Sequence, residues 1–163
     1  MRFGEADFFK KCVESGVDGL ILPDMPLHVY ENDYQKMLAD MNLKMSFLIT
    51  PQTTTDRIRK IDALTTGFVY IVSSYAITGG NAGISDAQID YFKRIEKMKL
   101  KNPRLIGFGI SDKTTFDIAC EHAPGAIIGS AFIRALERGH TEGVSVAATS
   151  ADFVGQVLGN VVV

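Results

Sequence analysis

The sequence has only two cysteines, and their positions support neither a disulfide scaffold nor a metal site. Cys12 and Cys120 lie far apart, without a CxxC pair or a histidine at ligand spacing. The three histidines, His28, His122 and His140, show no spacing typical of a metal site or a catalytic triad. We therefore expect no metal ion, and we expect both thiols to be reduced and to lie in helices of the core.

The sequence also lacks a surplus of positive charge and any long apolar run. Lysine and arginine number 17 against 19 acidic residues, which gives a net charge of −2. Nucleic acids and anionic membranes attract clustered positive charge, so neither is expected as a partner. No apolar stretch approaches the roughly 18 residues of a membrane-spanning helix, and charges near the start argue against a signal peptide. We expect a cytoplasmic protein.

What the sequence does have is the composition of a globular domain. It contains 163 residues, of which 46% are apolar and 22% are charged. A chain of this length can bury a core of its own. No shift in composition marks a linker, so residues 1–163 are predicted to form a single domain.

Five short apolar runs alternate with longer stretches that have helical spacing. Each run is bounded by glycine or proline, which is typical of strands buried on both faces. The runs lie at residues 19–23, 45–50, 67–73, 104–110 and 125–129. Strands joined by helices run parallel, so the predicted fold class is α/β.

Side chains near the predicted helix ends agree with this pattern. Capping oxygens near the helix starts come from Asn32 or Asp33, from residues 53–56, from Ser85 and from Ser111 with Asp112. Glycines that follow helical stretches are expected to be left-handed, and they are Gly16, Gly67 and Gly125. Two architectures remain open from the pattern alone: an open doubly wound sheet, or part of a (β/α)8 barrel. A complete barrel has eight strands and about 250 residues.

Three glycine-rich loops follow predicted strands and are candidates for binding a phosphate. They lie at residues 73–83, 107–111 and 129–132. Glycine lets several backbone N–H groups approach an anion, and a helix N-terminus adds partial positive charge. We predict that Gly109, Gly129 and Ser130 supply such amides and that Gly79 closes over them. None of the loops matches a dinucleotide or P-loop motif.

Other residues at strand ends are less specific signals. Asp24, in LPDMP, fits a turn or a helix cap better than an acid, base or ligand. Tyr70 and Phe108 are expected either to face the pocket or to belong to the core. No pair of groups suited to proton transfer is visible in the sequence.

The chain resembles the tryptophan synthase alpha subunit family in the order and spacing of five segments. They read GVDGLILPDMP, FLITPQTTTDRIRKID, GFVYIVSSYAITG, GFGIS and GAIIGSAFIRAL. The resemblance extends over residues 3–136 and implies a TIM barrel. This chain would supply a partial (β/α)8 barrel, with strands equivalent to strands 4–8 of the family.

The resemblance also assigns site residues by position. The family's phosphate site falls on Gly79, Gly109, Gly129 and Ser130. Its indole pocket falls on Ile21, Leu48, Tyr70 and Phe108. Thr78 matches the threonine of a loop that closes the site, although the family's Gly-Val-Thr-Gly reads Ala-Ile-Thr-Gly at residues 76–79.

The implied activity is that of a lyase in tryptophan biosynthesis. It cleaves indole-3-glycerol phosphate, a small phosphate ester, to indole and glyceraldehyde 3-phosphate by a retro-aldol reaction. The resemblance implies no cofactor in this subunit, because pyridoxal phosphate belongs to the beta subunit. The beta subunit is the expected partner.

One departure from the family bears on activity. The family chain is longer by its first three strand–helix units, which carry a catalytic glutamate, a catalytic aspartate and much of the surface that meets the beta subunit. No residue here matches either carboxylate, and each positioned acid or base contributes about 10²- to 10⁴-fold in rate. The chain alone is therefore expected to be inactive. The alternative is a non-catalytic half-barrel module that binds a phosphate ligand or a partner chain.

Overall fold

A computed structural model of the chain describes residues 4–73, 85–107 and 109–159. The helices of that part are α1 (Glu5–Glu14), α2 (Leu27–Val29), a π-helix (Tyr30–Tyr34), α3 (Gln35–Asp40), α4 (Thr55–Leu64), α5 (Asp86–Lys97), α6 (Lys113–His122), α7 (Ser130–Thr141) and α8 (Val146–Leu158). The strands are β1 (Gly19–Ile21), β2 (Lys44–Ser46), β3 (Leu48–Ile49), β4 (Val69–Val72), β5 (Arg104–Gly107) and β6 (Gly125–Ile127). The predicted alternation of strands and helices is confirmed.

The chain divides into two compact units. Unit 1 contains Met1–Tyr70 and Leu100–Pro103, and unit 2 contains Ile71–Lys99 and Arg104–Val163. The division falls within β4. That residues 1–163 form a single domain stays a prediction.

The strands of unit 1 form two parallel pairings. In the first, β1 pairs with β2 in the register Gly19↔Lys44 to Ile21↔Ser46. In the second, the amide of Tyr70 in β4 donates to the carbonyl of Phe47, which directly precedes β3, at 2.9 Å. The predicted run at 45–50 is thus two short strands, β2 and β3, with Phe47 between them.

The helices of unit 1 are placed by apolar stripes and by one buried carboxylate. Thr54 caps α4 by accepting from the Arg57 amide, and the stripe that α4 buries is Ile58, Ile61 and Leu64. Asp62, which is only 7% exposed, accepts from the backbone amides of Lys101 at 2.9 Å and Asn102 at 3.1 Å. These contacts fix the segment that leads into β5 against α4.

The π-helix corrects one expectation. Asn32 and Asp33 were predicted near a helix start, but both lie inside the π-helix, because α2 continues into it without a new N-terminus. Tyr30 is 1% exposed, and its ring meets that of Phe47 edge to face at 5.0 Å. Burial raises the pKa of the Tyr30 phenol, and a hydrogen bond with Thr66 partly offsets the rise.

In unit 2, three consecutive strands lie side by side. The Ser73 amide, just after β4, donates to the Gly107 carbonyl at the end of β5 at 3.2 Å. Strand β5 pairs in parallel with β6, and Gly107 is registered with Ile127. The carboxyl ends of the three strands therefore meet at one edge of the sheet.

The helices of unit 2 begin at side-chain caps in most cases. Ser85 forms a capping box with Gln88 at α5, Asp112 forms one with Thr115 at α6, and Ser145 caps α8. Helices α7 and α8 approach closely at Gly139, where a Cβ atom would lie 3.1 Å from Cβ of Thr149. In the part of the chain that the structure describes, no helix is long and apolar enough to cross a membrane.

Two further expectations are wrong. Cys120 is exposed on α6 and Cys12 is half-buried, so neither thiol lies in the core. Burial and the Asp117 carboxylate nonetheless raise the pKa of the Cys120 thiol. Gly16 is left-handed as predicted, at φ 73°, but Gly67 and Gly125 are not. A Cβ at Gly67 would lie 2.5 Å from Oγ of Ser46, so close packing explains this glycine.

Candidate anion site at the strand ends of unit 2

The strand ends of unit 2 carry the residues predicted to bind a phosphate. Gly109 lies two residues after Gly107, and Gly129 lies two residues after its registered partner Ile127. Parallel strands in register place these two positions at the same edge of the sheet. Gly79 and Thr78 follow β4 but lie outside the described residues, as does Phe108.

Helix α7 begins without a side-chain cap. Gly129 is its N-cap, with φ −110° and ψ −84°, and the first turn contains no acidic residue. Within the described part of the chain, a Cβ atom at Gly129 would meet no atom within 4 Å, so none of these residues fills the space beside the helix start. The amides of Ser130 and the residues after it carry the partial positive charge of a helix N-terminus. This arrangement favours an anion.

Helix α6, which follows the neighbouring strand β5, does begin with a side-chain cap. Asp112 caps it, accepting from the Thr115 amide at 2.9 Å, and this contact lowers the pKa of the Asp112 carboxyl. A carboxylate of the chain itself thus already occupies the start of α6. Gly109, with φ 80°, lies in the turn before that cap, so its predicted contribution is a single amide.

The residues predicted to contact the indole ring lie in unit 1, apart from Phe108. Ile21 ends β1 and is 41% exposed. The hydrogen bond from the Tyr70 amide to Phe47 aligns Tyr70 with Leu48 on the neighbouring strand, and both are half-buried. Burial raises the pKa of the Tyr70 phenol, which therefore stays neutral.

Asp24 lies in a turn, as expected. The Met25 amide donates to the Leu22 carbonyl at 3.1 Å, and Pro23 and Asp24 occupy the exposed middle of that turn. The N-cap of α2 is Pro26, so Asp24 does not cap a helix. Among the described residues no cluster of histidine, cysteine, aspartate or glutamate is suited to hold a metal ion.

The prediction from the sequence did not use the feature that distinguishes the two glycine-rich loops at this edge of the sheet, at residues 107–111 and 129–132. Both were selected for their glycines, but only α7 lacks both a capping side chain and an acid in its first turn. The signal was present in the sequence, because GSAFIRA at residues 129–135 has no acidic residue and GISDKTT at 109–115 contains Asp112.

Comparison with known proteins gives a consistent result. The family model described as tryptophan synthase alpha chain matches residues 1–159. The tryptophan synthase alpha chain of Flavobacterium psychrophilum is 48% identical over 145 residues, which are 89% of this chain and 57% of the relative. That of Flavobacterium johnsoniae is 45% identical over 157 residues, or 96% and 60% of the two chains.

Solved structures agree in fold. The tryptophan synthase alpha subunit of Pyrococcus furiosus superposes with a TM-score of 0.80 at 29% identity, covering 97% of this chain and 62% of that one. A tryptophan synthase complex from the same organism contains a chain with a TM-score of 0.80 at 28% identity, covering 97% and 61%.

The parallel strands, the helical connections and this structural likeness define a partial (β/α)8 barrel, as predicted. The chain belongs to the tryptophan synthase alpha chain family. It spans less than two thirds of the length of the relatives named here.

Proposed function

We propose that this chain is the ligand-binding part of a tryptophan synthase alpha subunit and that it binds the phosphate of indole-3-glycerol phosphate at the strand ends of unit 2. The uncapped start of α7, at Gly129 and Ser130, carries the proposal. Its amides, its open approach and the lack of a carboxylate in its first turn favour a phosphate. Gly109 and Gly79 supply further amides in the proposed site.

The proposed contacts to the indole ring are Ile21, Leu48, Tyr70 and Phe108. The alignment of Leu48 with Tyr70 supports a flat apolar surface for an aromatic ring. The raised pKa of Tyr70 supports a neutral phenol at that surface. We assign to Thr78 the closure of the loop over the bound ligand.

The proposed reaction is the family's retro-aldol cleavage to indole and glyceraldehyde 3-phosphate. It needs an acid that protonates the indole ring and a base that removes the hydroxyl proton, each contributing about 10²- to 10⁴-fold. No residue of this chain matches the family's two carboxylates. We therefore propose that the 163-residue chain tested alone binds the ligand without turnover.

The proposed partner is a tryptophan synthase beta subunit. We also propose that this chain binds no cofactor of its own. Solved relatives include the tryptophan synthase α2β2 complex of Pyrococcus furiosus, which supports this partner. Co-elution with a beta subunit in size-exclusion chromatography tests the proposal, and separate elution at micromolar concentrations contradicts it.

Glycerol 3-phosphate tests the phosphate site. Gly129→Asp places a carboxylate at the start of α7, so it should weaken binding at least tenfold in calorimetric titration. Gly4→Asp is the matched control, because Gly4 is the uncapped N-cap of α1 and has equally open surroundings. If the two variants bound glycerol 3-phosphate with equal affinity, the assignment of the phosphate site to the start of α7 would be wrong.

Turnover separates the lyase from the alternative, a non-catalytic module that binds a phosphate ligand or a partner. Indole release from indole-3-glycerol phosphate should be at least about 10⁴-fold slower than for a complete relative. Activity that appears when the catalytic part of a relative is added supports the lyase, whereas binding without any such activity supports the module.

A further inference from the structure

Unit 1 contains an apolar cavity that the proposed function does not use. It has a volume of about 450 Å³, and its walls include Phe8, Phe9, Leu22, Met25, Val29 and Tyr34. Small-ligand sites commonly measure roughly 300–1,000 Å³. None of the described residues that are proposed to bind phosphate or indole lines this cavity.

Three aromatic rings form one wall of the cavity. Phe8 and Phe9 meet edge to face at 5.6 Å, and Phe9 meets Tyr34 in the same way at 5.5 Å. Phe9, the middle ring, is 2% exposed, whereas Phe8 at one end is 41% exposed and Tyr34 at the other is half-buried, so both ends of the series are accessible. An aromatic ring of a ligand can extend such a series.

The charge at the cavity has one sign. Glu5 and Asp24 line it, and no described lysine, arginine or histidine does. Neither carboxylate belongs to an ion pair within the described residues. Desolvation, followed by the carboxylates of Glu5 and Asp33, raises the pKa of the Tyr34 phenol, in agreement with a negative potential there.

We propose that this cavity binds a small molecule that carries both an aromatic ring and an ammonium group. The ring packs against Phe8, Phe9 and Tyr34, and the ammonium group faces Glu5 and Asp24. The aromatic faces also attract a cation directly. An anionic ligand of the same size is repelled by the two carboxylates, and a neutral one loses both attractions.

Binding of 2-phenylethylamine to the 163-residue chain tests the proposal, with 2-phenylethanol and 3-phenylpropionate as neutral and anionic analogues. Methyl-labelled methionine gives the readout, because Met25 lines the cavity and Met98 lies in unit 2. We expect the amine to shift the Met25 signal with a Kd on the order of 1 mM. The two analogues should bind about tenfold more weakly.

Variants identify the contacts. The double variant Glu5→Gln, Asp24→Asn should abolish the preference for the amine, and Asp7→Asn, in the same turn as Glu5 but outside the cavity, should preserve it. Phe8→Ala should weaken binding about tenfold, and Val13→Ala, on the same helix and exposed, should not.

Three outcomes would overturn the proposal. Equal binding of the amine and its two analogues would show an apolar cavity without charge recognition. Shifts of Met98 that match those of Met25 would place the binding elsewhere. No shift of Met25 up to about 20 mM amine would show that the cavity is not a binding site.

Discussion

Units 1 and 2 use different contacts to hold their connecting segments. Unit 1 relies on buried polar side chains: Asp62 accepts from residues 101 and 102, and Oγ of Ser46 accepts from the Phe68 amide at 3.1 Å. Unit 2 relies on exposed helix caps and on the close approach of α7 and α8. A buried acceptor leaves unpaired donors when it is removed, whereas an exposed cap is replaced by water. The two units should therefore respond very differently to single substitutions.

The largest effect is expected at Asp62 in unit 1. Asp62→Ala leaves the backbone amides of residues 101 and 102 without their acceptor, so it should lower the free energy of unfolding by about 3 kcal/mol. The Asn102 side chain loses one of its two contacts and keeps the one to the Asp62 main-chain carbonyl. Urea unfolding followed by circular dichroism measures this, since the chain has no tryptophan. Asp117→Ala, which removes an exposed pair with Lys113, is the control. A loss below about 1 kcal/mol would contradict the contrast between the units.

The second-largest loss in the free energy of unfolding is expected where α7 and α8 pack closely in unit 2. Gly139→Ala brings a methyl group against Thr149, and such overpacking costs about 2 kcal/mol. Thr149→Ala removes Oγ1 and Cγ2, the two Thr149 atoms nearest to the new methyl group, so the double variant should recover most of the loss, helped by the higher helix propensity of alanine. Additive losses in thermal unfolding of the single and double variants would exclude the contact as the cause.

The cap of α6 should have a smaller effect that depends on pH. Asp112→Ala should cost about 1 kcal/mol at pH 7. The folded-state pKa of Asp112 is lowered, so its contribution is complete above the unfolded pKa of about 4 and is lost as the pH falls through the folded pKa. Ser145→Ala at α8 removes a neutral cap. Its cost should not share this pH dependence, and a parallel decline in both variants would refute the assignment to the Asp112 charge.

The smallest effect is expected for an exposed ion pair of unit 1. Nζ of Lys36 and Oδ2 of Asp40 lie 2.6 Å apart on α3, and both side chains are largely exposed. Asp40→Asn should change the free energy of unfolding by about 0.3 kcal/mol, and less at high salt. A change above about 1 kcal/mol would mean that surface charge, rather than buried polar contacts, stabilises unit 1.

The sequence was sufficient to predict the elements that depend on local patterns. The strands bounded by glycine or proline, and the caps near Thr54, Ser85 and Asp112, are where the pattern placed them. Gly67 shows what local patterns miss. A glycine required by close packing against Ser46 looks the same in sequence as one required by a left-handed backbone.

The candidate site was predictable to a similar extent. Gly129 and Ser130 lie at a strand end beside a helix start, as the pattern indicated, and the sequence also placed Asp112 near the start of α6. The hydrogen bonds add that Asp112 does cap α6, whereas no side chain caps α7. The exposure of Cys120 was not predictable either, because it depends on which face of α6 is covered by other elements. The roles of all residues predicted to bind the phosphate, to contact the indole ring or to close the loop stay predictions.

The π-helix at Tyr30–Tyr34 makes the number of residues in unit 1 as important as their identity. An α-helix turns by about 100° per residue, and a π-helical turn holds one residue more than an α-helical turn. Deleting one residue there would convert the segment to regular α-helix and rotate Leu27, now buried, away from the core. The same rotation would separate Val29 from Tyr34 on the wall of the aromatic cavity. Relatives that differ in length at this segment should therefore differ in that cavity even where every lining residue is the same.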